Sequence, residues 1–500
     1  MNAPAPRLTV TELARAGRHL PPTFELALAV TTPAAADRRR ADGPTSVLRC
    51  EAVLRLLPGR RLVARVRVDG RLRALKLFFG PGARRYFRRE RRGCEAMRAA
   101  GVATPALAGA VADTDGSARG LLFDWIEDAT PLSPFDQAGL ASAAAELARL
   151  HASGWRHGDL HLDNFLVAPG PGRPQLIDGD GVRRDRAGEV ARAAAIDDLA
   201  TLCAQRPPRA DDDLDGIWRA YAGARGWADA DGAAPAAVPA AVPAVLLERL
   251  GRQRRARLER YLRKTQRDCS EFRVERSWRH CLLAVRACWR DELAALLRDP
   301  EAAMAAGEVV KAGNSATVVR VALGASSCIV KRYNLKNAGQ ALRRNLRGMP
   351  RFRRAWAFGQ GLHLLEVATA RPLALLERRA GPWRGVAYLV MEDVGRHDLA
   401  GEIAATGLTD ERLDQVVALF TDLGRAGLTH GDTKATNLLV DGAALRLVDL
   451  DAMALDDRGR AADLARFLEN FEAGSAPRRR FAEAFAAAGL TASADGAAPS

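Results

Sequence analysis

Two stretches of the chain alternate apolar and polar residues at the period of a half-buried strand. In the first, Leu62-Val-Ala-Arg-Val-Arg-Val68 runs into an Asp69-Gly70 turn and returns as Leu72-Arg-Ala-Leu-Lys76-Leu-Phe-Phe79, which predicts a hairpin. In the second, Thr317-Val-Val-Arg-Val321 turns at Gly324 and returns as Cys328-Ile-Val-Lys331. Around these cores the strand-like patterning extends over 47–79 and 308–333. Each stretch is followed by a basic segment patterned as a helix (84–100 and 339–365), then by a threonine-containing entry to Pro105 or Pro372. Strand-like Leu121-Leu-Phe-Asp124-Trp125-Ile126 and Ala387-Tyr-Leu-Val-Met-Glu392 come next.

The repetition continues. His157-Gly-Asp159-Leu-His161-Leu-Asp163-Asn164 is echoed by His430-Gly-Asp432-Thr-Lys434-Ala-Thr-Asn437. A helix-like run precedes each copy (143–151 and 413–423), and a short apolar strand ending in aspartate follows it: Gln175-Leu-Ile-Asp178-Gly-Asp180 and Leu445-Arg-Leu-Val-Asp449-Leu-Asp451. Strands, helix, strands and a helical half therefore occur twice, the signature of two related modules in tandem. The expected organisation is an N-terminal extension (1–45), module one (46–228), an Ala/Pro linker with a basic helical connector (229–300), module two (301–490) and a flexible tail (491–500). Within the connector Leu258, Tyr261, Leu262 and Thr265 recur at helical spacing.

Composition narrows the partners. The 500 residues are 48% hydrophobic, enough to bury substantial cores. Against 60 acidic residues stand 75 basic ones, a formal charge of +15 that suits anionic partners, although a compositional preference for arginine explains the excess equally well. The longest uncharged stretch, 232–247, is broken by Pro235, Pro239 and Pro243, so no membrane span is expected. The segment 26–36 is read as too late and too polar for a secretory leader. Seven scattered cysteines without Cys-x-x-Cys spacing point to reduced thiols in a cytoplasmic protein, without zinc. The arginine runs at 84–92 and 251–267 hold few aromatics, which puts nucleic acid behind a peripheral contact with an anionic membrane surface.

The spacing carries a definite chemistry. An Asp with Asn five residues later and a strand-end Asp 19 or 17 residues on is what phosphoryl transfer needs: one carboxylate to take a hydroxyl proton, and an amide with a second carboxylate to hold Mg²⁺ across nucleotide phosphates. Lysine is scarce, with six in the chain, yet Lys76, Lys331 and Lys434 all fall on repeat positions. His157 and His430 are read as braces of their loops. Asp180 and Asp451, two residues past the strand-end aspartates, are read as turn residues.

On these motifs both halves resemble the protein-kinase-like fold, and the sequence is similar to bacterial lipopolysaccharide kinases of the Kdo/WaaP type, over 47–202 and 308–471. The resemblance implies an α+β fold of two tandem kinase-like modules, each with a small antiparallel-sheet N-lobe and a mainly helical C-lobe. It implies ATP and Mg²⁺ as cofactors, and transfer to a sugar hydroxyl of the lipopolysaccharide core or a related glycolipid at the inner face of the membrane. Module one would use Lys76 for the phosphates with Glu90 or Glu95 as its ion-pair partner, Asp159 as base, and Asn164 and Asp178 as metal ligands. Module two would use Lys331, Asp432, Asn437 and Asp449 in the same roles, with Lys434 reaching the transferred phosphate.

The two copies are not equivalent. His161 stands where module two has Lys434, and residues 351–360 offer no glutamate. Neither copy has a Gly-x-Gly-x-x-Gly loop. Module two, with the fuller loop, is expected to be the more surely catalytic. Gly158 and Gly431 replace the arginine that regulated protein kinases place before the catalytic Asp, and the chain after Asp178 or Asp449 is too short for a peptide platform, so the acceptor is not expected to be a protein. A small-molecule kinase of the aminoglycoside or choline type, and a pseudokinase scaffold at a membrane surface, remain as alternatives.

Overall fold

The computed structural model describes residues 5–16, 20–37, 44–185, 188–227, 241–334 and 349–490. The tail at 491–500, the linker at 229–240 and the 339–348 part of the second basic segment lie outside the described residues. The chain divides into two compact units. Unit one comprises Met1–Gln205 with Asp212–Leu250, and unit two comprises Arg206–Asp211 with Gly251–Ser500.

The hairpin expected in unit one forms as strands Arg61–Val68 and Arg71–Phe79. Leu62, Ala64, Val66 and Val68 alternate inward because successive side chains of a strand point to opposite faces. The sheet is not the small open one expected. Its strands run Phe24–Thr31, Thr45–Leu57, Arg61–Val68, Arg71–Phe79, Ala118–Asp124 and Leu107–Ala112, and the last pairs back on the first through Ala29–Ala112, Val30–Val111 and Thr31–Ala110, closing a barrel. The closing strand comes from the segment read as an extension. Phe24, Leu26 and Leu28 are buried in the barrel core, which is why this piece of chain belongs to the sheet.

The helix Ala83–Ala99 packs beside the barrel. Phe87, Glu90, Cys94 and Met97 recur every three or four residues on its buried face, and its arginines face outward. The helical half of unit one includes Gln137–Ala152, Arg192–Cys203 and Leu214–Arg225. Its core holds Trp218 and Tyr221 against Leu140 and Leu147, each large side chain contributing roughly 1.5–3 kcal/mol of burial.

Unit two keeps its sheet open, in the order Phe272–Arg276, His280–Val285, Pro372–Ala380, Trp383–Glu392, Ser326–Tyr333, Ala316–Leu323 and Glu308–Ala312, all antiparallel. The first two strands lie in what reads as a helical connector. Their apolar face (Phe272, Cys281, Leu283, Val285) is buried, and that burial recruits them to the sheet. Leu258 is buried in the same core, and Tyr261 and Leu262 pack against it, as their spacing predicts. The helical half carries Asp410–Arg425, Arg460–Leu468 and Ala476–Ala487, joined by edge-to-face contacts of Phe467 with Phe420, Phe481 and Phe485. Among the described residues no helix is long and apolar enough to cross a membrane.

Candidate active sites

In unit one the strand Arg71–Phe79 presents Lys76 to a cleft of about 380 Å³ between barrel and helical half. Its ammonium donates to Glu90 Oε2 at 2.5 Å and also to Asp178. The Glu90 carboxylate accepts in addition from the backbone N–H groups of Gly179 (3.1 Å) and Asp180 (2.9 Å). Glu90 therefore ties the lysine to the turn that carries Asp178. Glu95 lies instead 3.8 Å from Arg91 and is largely exposed, off the buried stripe that contains Glu90. Two glycines allow the helix to sit on that turn: a Cβ on Gly93 would meet the Gly179 carbonyl oxygen at 1.9 Å. Asp178 is in the left-handed region at φ +69°, as is Asp449 at φ +60°. The two turns match in backbone.

In unit two Lys331 projects from Ser326–Tyr333 into a cleft of about 630 Å³ lined by Asp432, Asn437, Asp449 and Asp451. Its ammonium donates to Asp449 Oδ1 at 2.7 Å and lies 3.0 Å from Asp451 Oδ2, while the Tyr333 hydroxyl donates to Asp451 Oδ1 at 2.7 Å. Among the described residues no helix carboxylate takes part. Lys434 lies 3.1 Å from Asp432 Oδ1.

Charge in the two clefts follows from these pairs. Burial works against the Lys76 ammonium, but Glu90 and Asp178 outweigh it and its pKa rises. Lys331 rises in the same way, with Asp451 and Asp449 outweighing burial. For Asp178 and Asp449 burial favours the neutral acid, yet Lys76 and Lys331 respectively hold both below the usual carboxylate range. At neutral pH each cleft thus contains a fixed ammonium and an ionised carboxylate.

The two loops share their internal bonds. Asn164 donates Nδ2 to the Asp159 carbonyl and Asn437 to the Asp432 carbonyl, both at 2.8 Å. Each commitment leaves the amide oxygen, a hard donor, for a cation. His157 and His430 are buried, their Nε2 atoms 3.2 and 3.1 Å from the carbonyl oxygens of Ile177 and Val448. His161, by contrast, is half-exposed and lies 3.8 Å from Asp163.

Sequence reasoning missed two aspartates. Asp463, buried on Arg460–Leu468, accepts the backbone N–H groups of His430 (2.6 Å) and Gly431 (2.9 Å), and its carbonyl accepts the Thr433 hydroxyl. In unit one Asp198 instead takes the Arg156 guanidinium at 2.9 and 2.6 Å and faces His151 at 3.2 Å. A carboxylate on the apolar face of a helix beside Leu464 and Phe467 was the available signal for Asp463.

Residues 300–488 match the model of the lipopolysaccharide kinase (Kdo/WaaP) family. Among curated proteins none matches. Among solved structures, the chain is similar to WaaP in complex with acyl carrier protein, with 20% identity over 34% of this chain and 77% of that one and a TM-score of 0.26. It is similar also to vaccinia related kinase 3, with 15% identity over 35% of this chain and 55% of that one and a TM-score of 0.24.

Proposed function

With residues 300–488 matching a lipopolysaccharide kinase family, and the chain accordingly a kinase, we propose that unit two transfers the γ-phosphoryl group of ATP to a sugar hydroxyl of the lipopolysaccharide core or a related glycolipid. The observation that carries this reading is the convergence of Lys331, Asp432, Asn437 and Asp449 on one cleft. Asp432 takes the proton of the acceptor hydroxyl as its oxygen bonds to the γ-phosphorus and the bond to the ADP oxygen breaks. Lys331 neutralises the α- and β-phosphates, and Lys434, beside Asp432, meets the transferred group. Asn437 and Asp449 would hold Mg²⁺, whose charge offsets that of the phosphates. Two protein ligands suit this ion, which ordinarily takes one or two carboxylates and completes its shell with phosphate oxygens and water.

Unit one supports a second nucleotide site built from Lys76, Glu90, Asn164 and Asp178, with Asp159 as its base, which makes the chain two tandem kinase-like modules. A second reading has specific support here. Asp163 and Asn164 line this cleft, whereas in unit two Asp432 itself does, and half-exposed His161 replaces Lys434, so unit one binds nucleotide without turning it over. ATP use implies a cytoplasmic protein, and a glycolipid acceptor brings it to an anionic membrane surface. The purified chain should phosphorylate core glycolipid in preference to soluble amino alcohols, and cells lacking it should show glycolipid of lower phosphate content by mass spectrometry. Equal phosphate content in the two strains would reject the acceptor.

A further inference from the structure

We propose that Asp451, fixed by the Tyr333 hydroxyl, is the positioning carboxylate for Lys331, the duty that Glu90 performs for Lys76 in unit one. The proposal rests on the kinase reading of unit two. Its starting point is a shared register. In unit one Arg89 donates to the Asp180 carbonyl at 2.9 Å, and in unit two Arg354 donates to the Asp451 carbonyl at 3.4 Å. Asp180 and Asp451 both lie two residues past the cleft aspartate, so the two arginines are equivalent. The residue after Arg89 is Glu90, and the residue after Arg354 is Ala355, which is buried. No helix residue can replace the missing acid, because the sequence has no Asp or Glu anywhere from Arg332 to Leu365.

A buried ammonium needs a carboxylate that stays with it. Lys331 is 9% exposed and has two within reach. Asp449 is claimed by the cation of the working site, which leaves Asp451. The Tyr333 hydroxyl occupies Oδ1 of that residue and so turns Oδ2 toward Lys331. Tyr333 sits two residues beyond Lys331 on the same strand and face. Two residues beyond Lys76 stands Phe78, which has no hydroxyl, and Asp180 pairs with Arg89 at 3.1 Å rather than with the lysine. Three positions therefore differ together: Glu90, Phe78 and an Arg89-bound Asp180 in one unit, and Ala355, Tyr333 and a lysine-bound Asp451 in the other. Unit two anchors its lysine to the cleft turn itself and needs no acid from the helix, which instead brings Arg351 and Arg354 to the cleft wall.

The test uses the full chain carrying Asp159→Asn, so that turnover reports unit two. Asp451→Asn should raise KM for ATP on the order of tenfold with the Mg²⁺ dependence unchanged, because a charge-assisted contact to the nucleotide-binding lysine is lost. Tyr333→Phe should move KM the same way by less. Ala355→Glu added to Asp451→Asn should recover part of the loss by restoring the unit-one arrangement. An unchanged KM in Asp451→Asn, or a raised Mg²⁺ requirement like that of Asp449→Asn, would overturn the proposal and, in the second case, make Asp451 a metal ligand. A parent chain without ATP turnover would overturn the kinase reading itself, and the proposal with it.

Discussion

The two His-Gly-Asp loops are spelled alike and built differently. Gly431 sits at φ +80°, its amide on the Asp463 carboxylate, whereas Gly158 avoids the left-handed region and donates to the Gly181 carbonyl. In unit two a buried acid grips the backbone of the loop. In unit one the corresponding helix spends its acid on the Arg156 guanidinium and on His151. A motif thus specifies which groups are available, and the residues beneath it decide how rigidly they are held.

The largest expected effect separates the units by chemistry. Asp432→Asn should lower kcat by about 10²–10⁴-fold, the usual worth of a positioned general base, while leaving nucleotide affinity nearly intact. Asp159→Asn should lower it far less, and equal losses in a steady-state assay would erase the distinction between the loops. Next comes the glycine pair. Gly431→Ala must adopt a left-handed conformation, at about 1–2 kcal/mol, and also meets the Ala452 methyl at 2.9 Å. Gly158→Ala needs no left-handed backbone and meets the Gly181 carbonyl at 3.2 Å with the Arg183 guanidinium beyond it at 3.7 Å, so denaturant unfolding should show the larger loss for Gly431→Ala. A comparable change confined to unit one is Gly93→Ala, whose added carbon falls 1.9 Å from the Gly179 oxygen. Prising helix from turn should cost about 1–3 kcal/mol and loosen Glu90 from the Asp178 turn, weakening ATP binding by unit one in a calorimetric titration.

The last effect is a pH dependence confined to unit two. Burial pushes the Asp422 carboxyl up to about 6, against the pull of Arg209, Arg425 and Arg254. Its folded form holds a proton more tightly than the unfolded chain does, so the stability it confers is full at about pH 4, declines as pH rises to about 6, and is flat beyond. Asp422→Asn should remove that decline, and its melting temperature should exceed the parent's increasingly from pH 4 to 6. A constant difference would assign the effect to packing instead.

Much of this was legible in advance because it is local. The hairpins around Lys76 and Lys331 follow from alternation and turn residues, and the arginine-rich helix after Lys76 offers two acids, Glu90 and Glu95, between which only burial in the fold decides. What escaped depends on partners distant in the chain. Nothing near Phe24–Thr31 announces that Ala29 pairs with Ala112, since the pairing is decided by closure of the sheet. The strands Phe272–Arg276 and His280–Val285 lie beside an arginine-rich helix, and their apolar face acquires meaning only against Pro372–Ala380. Asp451 reads as a turn residue until the strand Ser326–Tyr333, over a hundred residues earlier in the chain, brings Tyr333 and Lys331 to it.

Closure of the unit-one sheet has a consequence for the life of the protein outside its chemistry. Strands that pair round to the first leave, among the described residues, only short stretches of unpaired edge, the two-residue Arg7–Leu8 among them, so that barrel offers little template to a foreign strand. Unit two ends on Glu308–Ala312, whose Val309 and Val310 face solvent, and there a bulge between Val309 and Lys311, flanked by Glu308, breaks the regular register that an incoming strand would need. Straightening that bulge should therefore hasten self-association through Glu308–Ala312 in crowded or heated samples.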